Sequence, residues 1–240
     1  MPSFLVALQF LTRVPVPAKS VSERDVASSY LFYPLVGLLL GLAAVVVRHV
    51  SAIVFPGGFT IVLMLTFLAW ITGGLHEDGL ADVADGMGGG WTREDRLRIM
   101  KDSRIGAFGT LALISVILAK YTALTSMNGA RLDAAVISAQ TLGRWAFLPL
   151  GYFNPPAGAG LGAKFMKSIA LGGLILTTVF TAAAIMFLGR SLGMLALGGA
   201  TAIIAGASGY FRRRLGGVTG DCFGATFQFV EVMTYAIFLT

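Results

Sequence analysis

Asp78, Asp82 and Asp85 follow one another at intervals of four and three residues, a spacing that lines all three carboxylates along one face of a helix. Like charges so placed repel, so something has to neutralise them, either basic side chains or a divalent cation. Mg2+ suits such a face because it takes carboxylate oxygens and keeps waters and substrate phosphates in its shell. Gly79, Ala81, Ala84 and Gly86 are small and leave room for a bulky substrate group to approach. Glu77 stands roughly 100° around the helix from Asp78 and is a further candidate ligand, less well aligned. His76 falls on the far side of the turn and reads as a structural residue or as one that supports a ligand from behind.

Beyond the glycines at 88–90 comes a basic stretch, and its end, Lys101-Asp102-Ser103-Arg104, abuts an apolar run. Lys101 and Arg104 offer donors for phosphate oxygens, Arg by a bidentate fork. Ser103 and the Gly106 backbone add more at the start of the next helix, where a helix N-terminus favours anions. Arg93, Arg96 and Arg98 read instead as topological charge. A third short element, 216–225, sets Asp221 among glycines, either as another metal ligand or as a group for substrate phosphate or hydroxyl. Glu231, nine residues into the last apolar run, is costly in a bilayer unless it faces protein or water, and Arg144 is its candidate partner.

The elements that carry these groups are membrane helices. The chain has 240 residues, 56% hydrophobic and 12% charged, with a mean hydropathy of +0.80. A soluble domain carries about a quarter charged residues, and a globule must still clothe its surface, so the excess faces lipid. We expect an all-α, polytopic transmembrane bundle forming a single integral membrane domain over residues 1–240. A span needs about 20 mostly apolar residues. Segments 31–47, 59–85, 107–126, 134–153, 168–188, 192–211 and 222–240 meet or approach that, giving about seven spans. Residues Ser3 to Leu11 are too few to cross and read as a short interfacial or re-entrant helix, stopped by Pro15 and Pro17. With the N-terminus cytoplasmic, thirteen Lys and Arg fall inside (Lys19 and Lys164 among them) and three outside, namely Arg48, Arg131 and Arg190. That asymmetry sets the orientation and puts all three acid- and base-bearing elements on the cytoplasmic face of the inner membrane.

Other classes are excluded on the same grounds. The net charge of +6 is topological rather than a nucleic-acid footprint, since no basic face with interleaved aromatics occurs. The single cysteine, Cys222, makes no internal disulfide. The N-terminus lacks the basic region and small-residue cleavage site of a signal peptide.

The stretch 76–86 (HEDGLADVADG) resembles the acidic signature of the cobalamin synthase, or adenosylcobinamide-GDP ribazoletransferase, family. So do 101–109 (KDSRIGAFG) and 219–225 (TGDCFGA), with 10–17 and 32–37 near the start. The likeness covers the whole chain in order; Glu77 departs from it, standing where an apolar residue is expected. The resemblance implies transfer of α-ribazole or α-ribazole-5′-phosphate onto adenosylcobinamide-GDP, releasing GMP, with Mg2+ as cofactor. Catalysis of such a transfer is mostly positioning and charge neutralisation. On that implication Asp78, Asp82 and Asp85, with Glu77, hold one or two Mg2+, while Lys101, Ser103, Arg104 and Asp221 hold substrate phosphate. Asp85 or Asp102 is the general base. The partners are these small molecules and membrane lipid, with an oligomer compatible and no nucleic acid.

Two other readings compete. A transporter places its ionisable groups near the midplane of repeated, broken helices, and no repeat is present here. A CDP-alcohol phosphotransferase also spaces aspartates along a helix, but expects an Arg four residues after the Asp-Gly start, where this chain has Asp82 followed by Val83. A subunit of a cobalt uptake system should carry Cys, His or Met ligand clusters, and none is evident.

Overall fold

The computed structural model describes residues 3–16, 22–158 and 160–240; Pro17 and Lys19 lie outside them. Among the described residues, regular structure is helical, apart from one bridge between Pro156 and Val218. The helices are α1 (Ser3–Leu11), α2 (Glu23–Ser28), a 3-10 turn (Ser29–Phe32), α3 (Tyr33–Ser51), α4 (Gly57–Thr72) and α5 (Leu75–Gly89). They continue as α6 (Arg93–Ile99), α7 (Ala107–Thr125), α8 (Gly129–Trp145), α9 (Phe147–Tyr152), α10 (Leu161–Ser168), α11 (Leu171–Leu215) and α12 (Gly220–Leu239). Four elements are long and apolar enough to cross a membrane: the unit Glu23–Ser51, α7, α11 and α12. The bent pair of α4 and α5 makes a fifth if counted as one.

The expected span over 59–85 is therefore corrected. Gly73 and Gly74 both adopt left-handed backbone, φ 71° and 70°, which ends α4 in an αL cap and turns α5 by 86°. Arg13 packs against this elbow, its N–H donating to Ile71 O at 2.7 Å. α5 has 15 residues and four acids, and is not itself a span; it lies across the end of α4.

The runs 168–188 and 192–211 join in one 45-residue helix, α11, interrupted at Arg190 (φ 49°, ψ −126°). At ~1.5 Å per residue its length is about twice a ~30 Å hydrocarbon layer. The break makes two halves of span length.

α8 and α9 fall short of the apolarity of a span for a physical reason: they face protein, not lipid. Every residue from 135 to 151 is buried. Gly37 and Gly41 let α3 lie backbone to backbone on α8, since a Cβ on Gly41 would stand 2.6 Å from Ile137 Cα. The small-residue spacing thus marks a helix contact.

Candidate active site at the α5 elbow

Because α5 crosses the end of the bundle, its faces meet different neighbours. Gly79 sits against α12, where a Cβ would come within 2.8 Å of Asp221 O, and Gly224 reciprocates against His76. These two glycines bring Asp221 beside the acidic face of α5. Asp78 is exposed, while Asp82 and Asp221 are half-buried. The carboxyl of Asp82 is pushed up to about 7, first by burial, then by Asp78, Asp221 and Asp85. Burial is the larger cause and the neighbouring carboxylates add to it, so a cation held there would favour the charged form.

The donor set fits a hard divalent ion. Among the described residues no group of three or more His, Cys, Asp or Glu stands at metal-holding distance. Mg2+ does not require such a cage, since it is commonly held by one or two carboxylates together with waters and substrate phosphates.

Two other predicted ligands are engaged in bonds of their own, although Asp85 stays near enough to Asp82 to raise its carboxyl. Glu77 turns towards the bundle interior and accepts from Gln228 Nε2 at 2.9 Å. Asp85 is occupied as well: its Oδ2 accepts the Gly106 N–H at 2.7 Å and its Oδ1 the Gly109 N–H at 2.8 Å. It caps α7 from a neighbouring helix, satisfying N–H groups that a helix N-terminus leaves open.

Asp102 accepts from Arg104 through its Nε at 3.0 Å, Nη2 at 2.7 Å and backbone N–H at 3.1 Å. These bonds hold its carboxyl down at about 2. Ser103 and Arg104 are exposed. Lys101 lines a cleft of about 360 Å3 with Gly158 and Gly162 on one side and Thr219, Gly220 and Asp221 on the other. A lysine and the N-terminus of α12 therefore share one concavity, a combination suited to phosphate.

Arg93 proves to be more than topological charge. Its Nε donates to Leu215 O at 2.7 Å and its Nη2 to Ala157 O at 3.0 Å, fastening α6 to the end of α11 and to the cleft wall. Arg144 is likewise not the direct partner of Glu231. That carboxylate pairs with Lys120 at 2.6 Å, and Arg144 reaches it only through Gln140. His76 is buried and stacks on Phe227 with ring centroids 3.9 Å apart, as its place on the helix suggested.

The profile of the family described as cobalamin-5-phosphate synthase matches residues 3–239. An adenosylcobinamide-GDP ribazoletransferase of Leptothrix cholodnii is 38% identical over 97% of this chain and 92% of its own length. Relatives of the same name from Shewanella frigidimarina and Vibrio cholerae are 36% and 37% identical, each over 98% of this chain and 93% and 92% of their own lengths. No solved structure matches the chain. The three motifs that meet at the α5 elbow lie within the matched residues, and the chain belongs to the cobalamin-5-phosphate synthase family.

Proposed function

We propose that the chain is an adenosylcobinamide-GDP ribazoletransferase acting at the cytoplasmic face of the inner membrane. A hydroxyl of α-ribazole or its 5′-phosphate attacks the phosphorus that bears the cobinamide arm. A new P–O bond forms, the phosphoanhydride bond breaks and GMP leaves. The observation that carries this reading is the convergence of Asp78, Asp82 and Asp221 beside the cleft lined by Lys101.

Asp82 together with either Asp78 or Asp221 would hold Mg2+, with waters and substrate phosphate completing its shell, and the ion would supply charge neutralisation for the phosphates when bound. Lys101 and the N-terminus of α12 orient the pyrophosphate, and Arg104 and Ser103 add donors from the exposed turn. Asp85 keeps α7 and the 101–106 turn in register with α5. Asp102 is the proton acceptor in this scheme. When Arg104 moves onto phosphate, Asp102 loses the bonds that hold it at about 2, and its basicity rises towards the ordinary carboxylate value.

The topology that goes with this function has the N-terminus inside and seven crossings: α3, α4, α7, α8 with α9, the two halves of α11, and α12. The Lys and Arg distribution supports that orientation, and it leaves α5, α6 and α10 together on the cytoplasmic side.

The test is transfer by purified protein supplied with adenosylcobinamide-GDP, α-ribazole-5′-phosphate and Mg2+, scoring GMP and corrinoid product. Product that disappears with EDTA and in Asp82→Asn supports the assignment. Well-folded protein that makes no product from verified substrates overturns it.

A further inference from the structure

A second polar constellation lies inside the bundle, on the side of α5 away from the acidic face. Lys120 pairs with Glu231 at 2.6 Å. The other Glu231 oxygen accepts from Gln140 Nε2 and Tyr235 OH, both at 2.8 Å. Arg144 Nη1 donates to Gln140 Oε1 at 2.8 Å, and its guanidinium lies 5.0 Å from the Phe227 ring. Ionisable groups so deep are costly and mark function by default. The transfer chemistry at the acid cluster uses none of them.

The network is open on one side. Glu77 Oε2 and His76 Nε2 are buried with no hydrogen-bond partner among the described residues, and a buried polar atom left unsatisfied is costly. Both residues, with Lys120 and Glu231, line a cavity of about 410 Å3, inside the ~300–1,000 Å3 range of small-molecule sites. With Gln140 of α8 and Phe227 of α12 closing the inner end, most of its remaining wall belongs to α4 and α7 and is largely apolar. There Val62, Ile117 and Leu118 are exposed large hydrophobics on helices read as spans, so the mouth faces lipid rather than the acid cluster.

Three features define the occupant. Access between α4 and α7 requires an apolar body that partitions into the bilayer. The open carboxylate oxygen requires a hydrogen-bond donor. Lys120 and Arg144 already balance Glu231 and Glu77, so a charged head would be left uncompensated in a low-dielectric site. We propose that this cavity binds a neutral, hydroxyl-bearing amphiphile of the diacylglycerol class. Its hydroxyl lies against Glu77 and His76, and its chains leave between α4 and α7. The proposal does not depend on the transfer reaction, and its test does not read that reaction.

The test uses full-length protein in phosphatidylcholine nanodiscs with a photoactivatable diacylglycerol as probe. The expected result is labelling concentrated on peptides covering 62–72 and 117–121. Unlabelled diacylglycerol should compete at least tenfold better than phosphatidylglycerol, and Ala69→Trp, which fills the cavity wall, should remove most of the label. Ile117→Trp at the mouth serves if Ala69→Trp does not fold. Labelling spread equally over the lipid face of α11, equal competition by phosphatidylglycerol, or full labelling of a folded cavity-filling variant would each overturn the proposal.

Discussion

Asp85 receives the backbone N–H of Gly109 at 2.8 Å, so a side chain of α5 caps a helix that begins more than twenty residues later. A Cβ on Gly109 would strike the Asp85 carboxylate and stand 3.0 Å from Ala81 O, so only glycine allows the approach. Removing a helix cap costs about 0.5–2 kcal/mol. Asp85→Ala should therefore lower the melting temperature in detergent measurably. It should also raise KM for the nucleotide substrate more than it lowers kcat, because the 101–106 turn loses its register. Gly109→Ala should do the same with the carboxylate still present. A kcat collapse with unchanged KM in Asp85→Ala and normal behaviour in Gly109→Ala would instead place Asp85 in the chemical step.

Asp82 gives a pH signature. Its carboxyl is raised to about 7, whereas the unfolded chain titrates near ~4. The native state thus holds a proton that the unfolded state has lost, and the stability of metal-free protein from this group falls as pH rises between those values. Cation binding has the opposite trend because the proton must leave. Apparent Mg2+ affinity should rise by up to about tenfold per pH unit between ~5 and ~7 and level off above. A Mg2+ titration that is flat with pH in the native protein, or equally steep in Asp82→Asn, contradicts the assignment.

The pair of Asp102 and Arg104 is an exposed latch. Arg104→Ala should weaken binding of the pyrophosphate substrate. It should also lift Asp102 from about 2, visible as a carboxylate resonance titrating at higher pH. Lys101→Ala should raise KM about tenfold, the scale of one charge-assisted hydrogen bond, and leave the Asp102 titration unchanged.

Breaking the buried pair of Lys120 and Glu231 should cost about 3–5 kcal/mol, because one charge is left uncompensated. Lys120→Met and Glu231→Gln should each melt well below the native protein in a thermal scan. The double variant should recover much of the loss. Additive losses would mean that the two do not act as a pair.

The carboxylate face of α5 was legible because a period of three and four residues survives any packing. The helical runs at 107–126 and 222–240 were legible because lipid-facing helices write their length in apolar residues. What tertiary contact decides was not. The Gly73–Gly74 pair signals a break, yet the run on its far side stays apolar enough to read as one span. Asp221 joins Asp78 and Asp82 only because Gly79 and Gly224 let α5 and α12 touch, and a glycine does not name its partner. Lys120 was placed within a span, but its pairing with Glu231 across 111 residues of chain has no local pattern.

The burial of α8 bears on how the protein is made. With Arg131, Asp133, Gln140 and Arg144 along its length, α8 is a poor candidate to leave the translocon alone, since an Asp, Lys or Arg near the centre of a lone helix costs about 2.5–3.5 kcal/mol. Its shelter is assembled from α3, made earlier, and from α11 and α12, made later. Insertion of α8 must therefore either wait at the interface or lean on α3 until its later neighbours arrive, which makes the order of synthesis part of the folding pathway.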